Sequence, residues 1–153
     1  MRILTAVLAG LLLAAPAAAQ GNGPLAWAAH RDAADHVSTW LVAGQLGADT
    51  LRAFRADDRR HQVGCLGLRV GLTIGAAETV KRLVHRTRPD GADRQSFYSE
   101  HTALAVVSAG WRVQVSVPIA VGAGYLRIAA DKHFPSDVAV GAVAGLLARR
   151  VCR

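Results

Sequence analysis

His101 and Arg127 are only twenty-six positions apart, and the largely apolar stretch between them carries a single charge, Arg112. Its pattern predicts two helices and their turn, so each can be only about 18 Å long, against roughly 30 Å of hydrocarbon in a bilayer. Such a pair cannot cross a membrane and return. The second long apolar run is broken as well, by Arg69 and Glu78. A chain that is 52% hydrophobic yet so interrupted is expected to turn its apolar faces on one another. The expectation is a compact soluble bundle with room for peripheral contact at a membrane surface.

Helical spacing recurs along the whole chain. A first helix is predicted over 28–54, where Val37, Trp40, Leu41, Leu46 and Leu51 repeat despite Gly44 and Gly47. Asp57 to His61 reads as a charged turn. A second helix is predicted over 62–87. It must stop near Arg88, because Pro89 disfavours helical backbone in the residue before it. Asp90 to Gln95 is a polar loop. A third helix is predicted over 99–111, with Ser99 as a plausible N-cap or early residue. Arg112 to Ser116 reads as a connection, the fourth helix as 117–132 with Pro118 in its first turn, and the fifth as 135–150. Val113 to Val117 is the only β-like run, and it is short. The fold class expected is all-α, a compact bundle of about five helices, and 153 residues suit one domain with a modest core.

Ahead of the bundle, Arg2, the apolar stretch Ile3 to Ala15 and Ala17-Ala18-Ala19 have the layout of a secretory signal peptide over 1–19. The apolar stretch is shorter than the ~20 residues of a spanning helix. A glycine-rich flexible leader is expected over 20–27 and the helical domain over 28–153. The mature protein is expected to be exported, either periplasmic or secreted. In an oxidising compartment, an even cysteine count permits a disulfide between Cys65 and Cys152. If Lys81 and Asp137 lie at one end of antiparallel helices, both cysteines fall at the other end. A bridge and two small buried thiols are both compatible with that placement.

The net charge is +7, and nearly all cations are arginine; Lys81 and Lys132 are the only lysines. No nucleic-acid motif or basic tract interleaved with aromatics is present, so nucleic acid is not expected as a partner. Arg52, Arg55, Arg59 and Arg60, mixed with Asp57 and Asp58, read as a solvated helix end. The basic balance suits an anionic substrate, with peripheral contact to anionic lipid as a further option. His30, Asp32, Asp35 and His36 read as the polar face of the first helix rather than as metal ligands.

The chemistry gathers in three clusters: KRLVHRTRP from Lys81, SFYSEHT from Ser96 and RIAADKHFPSD from Arg127. Lys81 and Arg88 are seven residues apart, about two helical turns, and are expected to share a face that reaches an anion off the helix end. An ordinary basic helix end would look the same. His101 falls in the first turn of the third helix, where free N–H groups and the helix dipole favour an anion. There it can hand a proton to a leaving oxygen. His133 falls just outside the helix that Pro135 starts, and Asp137 within its first turn. A carboxylate so placed can reach back to the imidazole, fix its tautomer and leave the other nitrogen free to attack. It could equally serve the helix N-terminus alone. Arg127 can add a bidentate grip on phosphate oxygens.

This ordered set resembles the signature motifs of the type-2 phosphatidic acid phosphatase superfamily, K-x6-R-P, P-S-G-H and S-R-x5-H-x3-D. The match runs from Lys81 to Asp137. The resemblance implies that Lys81, Arg88 and Arg127 neutralise phosphate oxygens and that Ser99 and the amide of Glu100 add hydrogen bonds. His101 would be the general acid, His133 the nucleophile and Asp137 its partner. It implies a metal-independent phosphatase with no cofactor, acting on a phosphorylated small molecule or lipid through a phosphohistidine. The sequence departs from the pattern at Tyr98 for proline, Leu126 for serine and Glu100 for glycine. A carboxylate at Glu100 weakens phosphate affinity unless it turns away or pairs with a cation. It is expected to face outward while its amide serves. Two alternatives remain. One is a vanadium-dependent haloperoxidase with vanadate as cofactor, against which the small size argues. The other is a phosphate- or lipid-headgroup-binding protein impaired in catalysis by Glu100.

Overall fold

The structure, a computed structural model, describes residues 24–108 and 113–152, with side chains described from His30 onward apart from 113–116. The signal segment expected over 1–19 lies outside the described residues. The chain is all-helical, and no strand occurs among the described residues. The helices are α1 (Pro24–Arg55), α2 (Arg59–Val84), α3 (Glu100–Val107), α4 (Val113–Ala129) and α5 (Pro135–Ala148).

The shortest helix is the hub. α3 has only eight residues, and every one from Thr102 to Val107 is buried. A helix that is apolar on all sides must be surrounded, and α1, α2, α4 and α5 all pack on it. Leu104, Val106 and Val107 share one core with Val42 of α1, Ala120, Ala123 and Ile128 of α4, and Val138 and Ala142 of α5. A smaller core joins Ala103 to Ala77 of α2 and Tyr98.

α5 lies nearest because of two glycines one turn apart. A Cβ at Gly145 would stand 2.5 Å from the carbonyl oxygen of Ala103 and 2.8 Å from Cβ of Val106. A Cβ at Gly141 would overlap the carbonyl oxygen of Ser99. Small residues at this spacing let two backbones touch. Here the backbone they touch is the start of α3, next to His101.

Several boundaries differ from those the sequence suggests. α1 begins at Pro24, so the described half of the flexible leader expected over 20–27 is helical. α2 starts three residues early and ends at Val84, capped by His85 in the left-handed conformation with φ 49° and its N–H on the carbonyl of Lys81. The helix expected to reach Thr87 therefore stops short. Ser99 is the N-cap of α3, and Ser108 closes that helix well before Trp111, which lies outside the described residues. α4 takes in the β-like run and part of the expected connection, and leaves Pro118 exposed in its interior. The two central helices are thus unequal, about 12 Å and 25 Å rather than 18 Å each.

Cys65 and Cys152 are joined as a disulfide with Cα atoms 5.6 Å apart. Beside it, Arg69 donates to the carbonyls of Val151 at 2.8 Å and Cys152 at 3.0 Å. Arg69 therefore interrupts the apolar run of α2 in sequence without interrupting its outer face, where Leu68, Leu72 and Ile74 are exposed. By length and composition α2 could cross a membrane, and only 17% of its most apolar window is buried within the chain.

Gly141→Ala is expected to lower stability by about 1–3 kcal/mol, the usual cost of overpacking, because the new methyl must push α5 off the N-cap of α3. The denaturation midpoint against that of the unaltered protein checks this; an unchanged midpoint would mean that the helices do not touch there.

Candidate active site

The three sequence clusters meet at one carboxylate. Asp137 is fully buried. Its Oδ1 accepts from Nη1 of Arg86 at 2.5 Å, and its Oδ2 accepts from the hydroxyl of Ser96 and from the backbone N–H of Phe134 at 3.1 Å. Arg86 belongs to the first cluster, Ser96 to the second and Phe134 to the third. The Arg86 guanidinium also lies over the Phe134 ring, 4.3 Å from its centre, and donates to Ser136 at 3.0 Å. Pro135 opens α5, so Asp137 falls at its third position and caps the helix through Phe134.

The expected Asp137 to His133 hydrogen bond is replaced by a relay. Nδ1 of His133 lies 2.5 Å from the carbonyl oxygen of Ser96. A carbonyl can only accept, so Nδ1 carries the proton and Nε2 holds the lone pair. Asp137 grips the hydroxyl of the same serine whose carbonyl orients the imidazole. Ser96 is fully buried and belongs to the second cluster, yet its sequence position offered no role for it.

Both histidines are held neutral. Burial and then the charge of Arg127 push His133 down to about 3, with Arg88 adding to the effect. Burial likewise lowers His101 to about 4, reinforced by Arg127, Lys81 and Arg88 and opposed by Asp35. The three cations expected around a phosphate therefore all act on His101, and His101 and His133 lie near enough to affect each other. His101 Nε2 stands 3.3 Å from the hydroxyl of Thr39. That hydroxyl donates its one hydrogen to the carbonyl of Asp35 at 3.0 Å, so it accepts from Nε2 and leaves Nδ1 of His101 as the unprotonated nitrogen.

The cations are placed otherwise than expected. Arg88 lies beyond the end of α2, in the loop, and shares no helix face with Lys81. Its Nε pairs with Asp93 at 2.7 Å. Lys81 pairs with Glu100 at 2.8 Å and Glu78 at 3.1 Å, so Glu100 turns in to a cation rather than outward. Ser99 is fully buried as the N-cap of α3, with its hydroxyl 3.0 Å from that of Thr102. Arg127 is buried and pairs through Nη1 with Asp35, with Ser38 at 3.4 Å. Its Nε has no hydrogen-bond partner among the described residues.

α1 builds a wall of this site that the motifs do not contain. Arg31 reaches Asp131 at 2.7 Å, Asp35 and Ser38 hold Arg127, and Thr39 touches His101. Their spacing of four, three and one residues marks one helix face, readable in the sequence as polar but not as facing the motifs. Lys132 ties the two site loops together through Asp90 at 2.8 Å. His61, Cys65 and Cys152 also group together, but the cysteines there are spent on the disulfide.

Comparison of the chain with protein-family models, with curated proteins and with solved structures finds no match. What the site can do therefore rests on its own geometry.

The neutral histidines set an acid limit on stability. Their folded-state values lie below the ordinary 6.5, so below that pH the unfolded chain binds more protons than the folded one. Stability is full above pH ~6.5 and falls progressively toward the folded values. The denaturant midpoint at pH 4.5 should lie below that at pH 7; equal midpoints would mean the imidazoles are not held neutral.

Proposed function

We propose that the protein is a metal-independent phosphatase that hydrolyses a phosphomonoester or lipid phosphate through a phosphohistidine at His133. The observation that carries this is the buried Arg127 guanidinium, which keeps one N–H donor without a partner among the described residues and whose charge acts on two neutral histidines. A buried unpaired donor is costly, and an anion at that point would satisfy it.

In the first step the Nε2 lone pair of His133 attacks phosphorus, an N–P bond forms and the ester P–O bond breaks. A monoanionic substrate brings the proton to Nδ1 of His101, and His101 delivers it to the leaving alcohol. In the second step water attacks phosphorus, His101 takes its proton, the N–P bond breaks and inorganic phosphate departs. Asp137 acts on His133 only through Ser96, as a positioning residue. Lys81, Arg88 and Arg127 neutralise the phosphoryl oxygens. Nothing in these steps calls on a metal ligand from the chain. The segment over 1–19 and the basic surface fit an exported enzyme, in contact with soluble or membrane-borne phosphate esters.

The Lys81 to Glu100 pair favours a second function, phosphate binding without turnover, since a cation meant for phosphate is already engaged. One assay separates the two. The purified mature protein should release phosphate from an aryl phosphate with chelator present, and His133→Ala should lose at least about a thousandfold, as expected for a nucleophile. Phosphate binding with no hydrolysis by the unaltered protein would select the second function, and equal rates in both proteins would remove His133 from the mechanism.

The pH dependence follows from the proton count. His133 must be neutral, which holds above about 3. One proton must be shared between His101 and the substrate, whose second ionisation lies near ~6. kcat/KM should therefore fall about tenfold per pH unit above that value. A profile still rising at pH 8 would contradict this assignment of proton donor.

A further inference from the structure

Each cation that phosphate would need is already held by a carboxylate: Arg88 by Asp93, Arg127 by Asp35, and Lys81 by both Glu78 and Glu100. With both histidines neutral, these three cations and four carboxylates leave one net negative charge. A phosphomonoester brings up to about two more.

Glu100 differs from the other three carboxylates. The side chains of Asp35, Glu78 and Asp93 are 37%, 44% and 43% exposed, whereas that of Glu100 is 22% exposed. Water therefore screens its charge least. That charge, after burial, helps to raise the Tyr98 hydroxyl above its ordinary value. The Glu100 partner Lys81 is also one of the cations that act on His101, the residue proposed to protonate the leaving alcohol.

A phosphate that draws Lys81 to itself strips Glu100 of its closest cation. A substrate with no positive charge leaves that poorly solvated carboxylate unpaired beside an anion, which is unfavourable. A substrate with an ammonium on its leaving group restores the balance. It offers its phosphate to Lys81 and its ammonium to Glu100, so two ion pairs stand where one stood. We propose that this site selects zwitterionic phosphomonoesters, whose alkylammonium arm takes the place of Lys81 at Glu100. The proposal rests on the phosphatase function above and assigns Glu100 as its specificity-determining residue.

The test compares kcat/KM for 2-aminoethyl phosphate and for propyl phosphate, its counterpart of equal length without the ammonium. An ammonium also makes the alcohol a better leaving group, an advantage common to all variants. The readout is therefore the change in the ratio of the two values. The ratio should fall about tenfold or more in Glu100→Gln and in Glu100→Gly, as loss of one poorly solvated ion pair implies, and recover in Glu100→Asp. Both replacements sit at the first position of α3, where neither removes a core contact, so one stands in should the other fold poorly. A ratio unchanged in both, with hydrolysis intact, overturns the proposal and leaves the phosphatase standing. Hydrolysis of neither ester by the unaltered protein, under conditions where an aryl phosphate is also untouched, overturns the phosphatase function and the proposal with it.

Discussion

A carboxylate with no exposed surface is tolerable only if every partner is in place, and Asp137 obliges the rest of the site to form around it. Its partners come from three segments far apart in sequence: Arg86 after α2, Ser96 before α3 and Phe134 before α5. Removing a partner from such a buried charge costs roughly 3–5 kcal/mol. The loop from His85 to Ser99 is therefore anchored on Asp137 at two points, Arg86 and Ser96. That loop carries Arg88 and delivers the Ser96 carbonyl to His133. The glycine contacts of α5 on α3 complete the arrangement, since they bring Asp137 to the depth at which these partners can reach it.

The electrostatics follow from the same burial. Two imidazoles enclosed near three cations cannot easily take up protons, so they stay neutral across the ordinary pH range. Each cation is in turn balanced by a carboxylate, Arg127 by Asp35 of α1, Arg88 by Asp93 and Lys81 by Glu100. An incoming anion thus competes with internal partners rather than entering an empty positive pocket. Under the proposed function, binding of phosphate and recognition of what it is attached to would be coupled through the carboxylates that are displaced.

The helices were legible from apolar spacing, and their ends where a local signal existed. Ser99 capping α3 and Pro135 opening α5 are local events, and both can be read from a few residues. The end of α2 at Val84 was not, because a left-handed histidine cap carries no composition signal comparable to glycine. That misplacement put Lys81 and Arg88 on one helix face when a loop separates them. Contacts that depend on tertiary packing were also out of reach. The sequence places Asp137 within reach of His133, but only the packed loop decides that Ser96 stands between them. Likewise Asp35 was legible as part of a polar face, yet nothing local reveals that it and the nearby Ser38 and Thr39 lie opposite Arg127 and His101. Glu100 was expected outward because helix position alone does not say where Lys81 ends.

The central claim is that Nε2 of His133 takes the phosphoryl group. The most direct measurement is to quench the protein during turnover of an aryl phosphate, under alkaline conditions that preserve phosphohistidine, and to locate any phosphoryl adduct by peptide mass spectrometry. A phosphoryl group on His133, bonded at Nε2 and lost on acid treatment, is the result this account requires. Turnover with no adduct on that peptide, or an adduct on another residue, would contradict it.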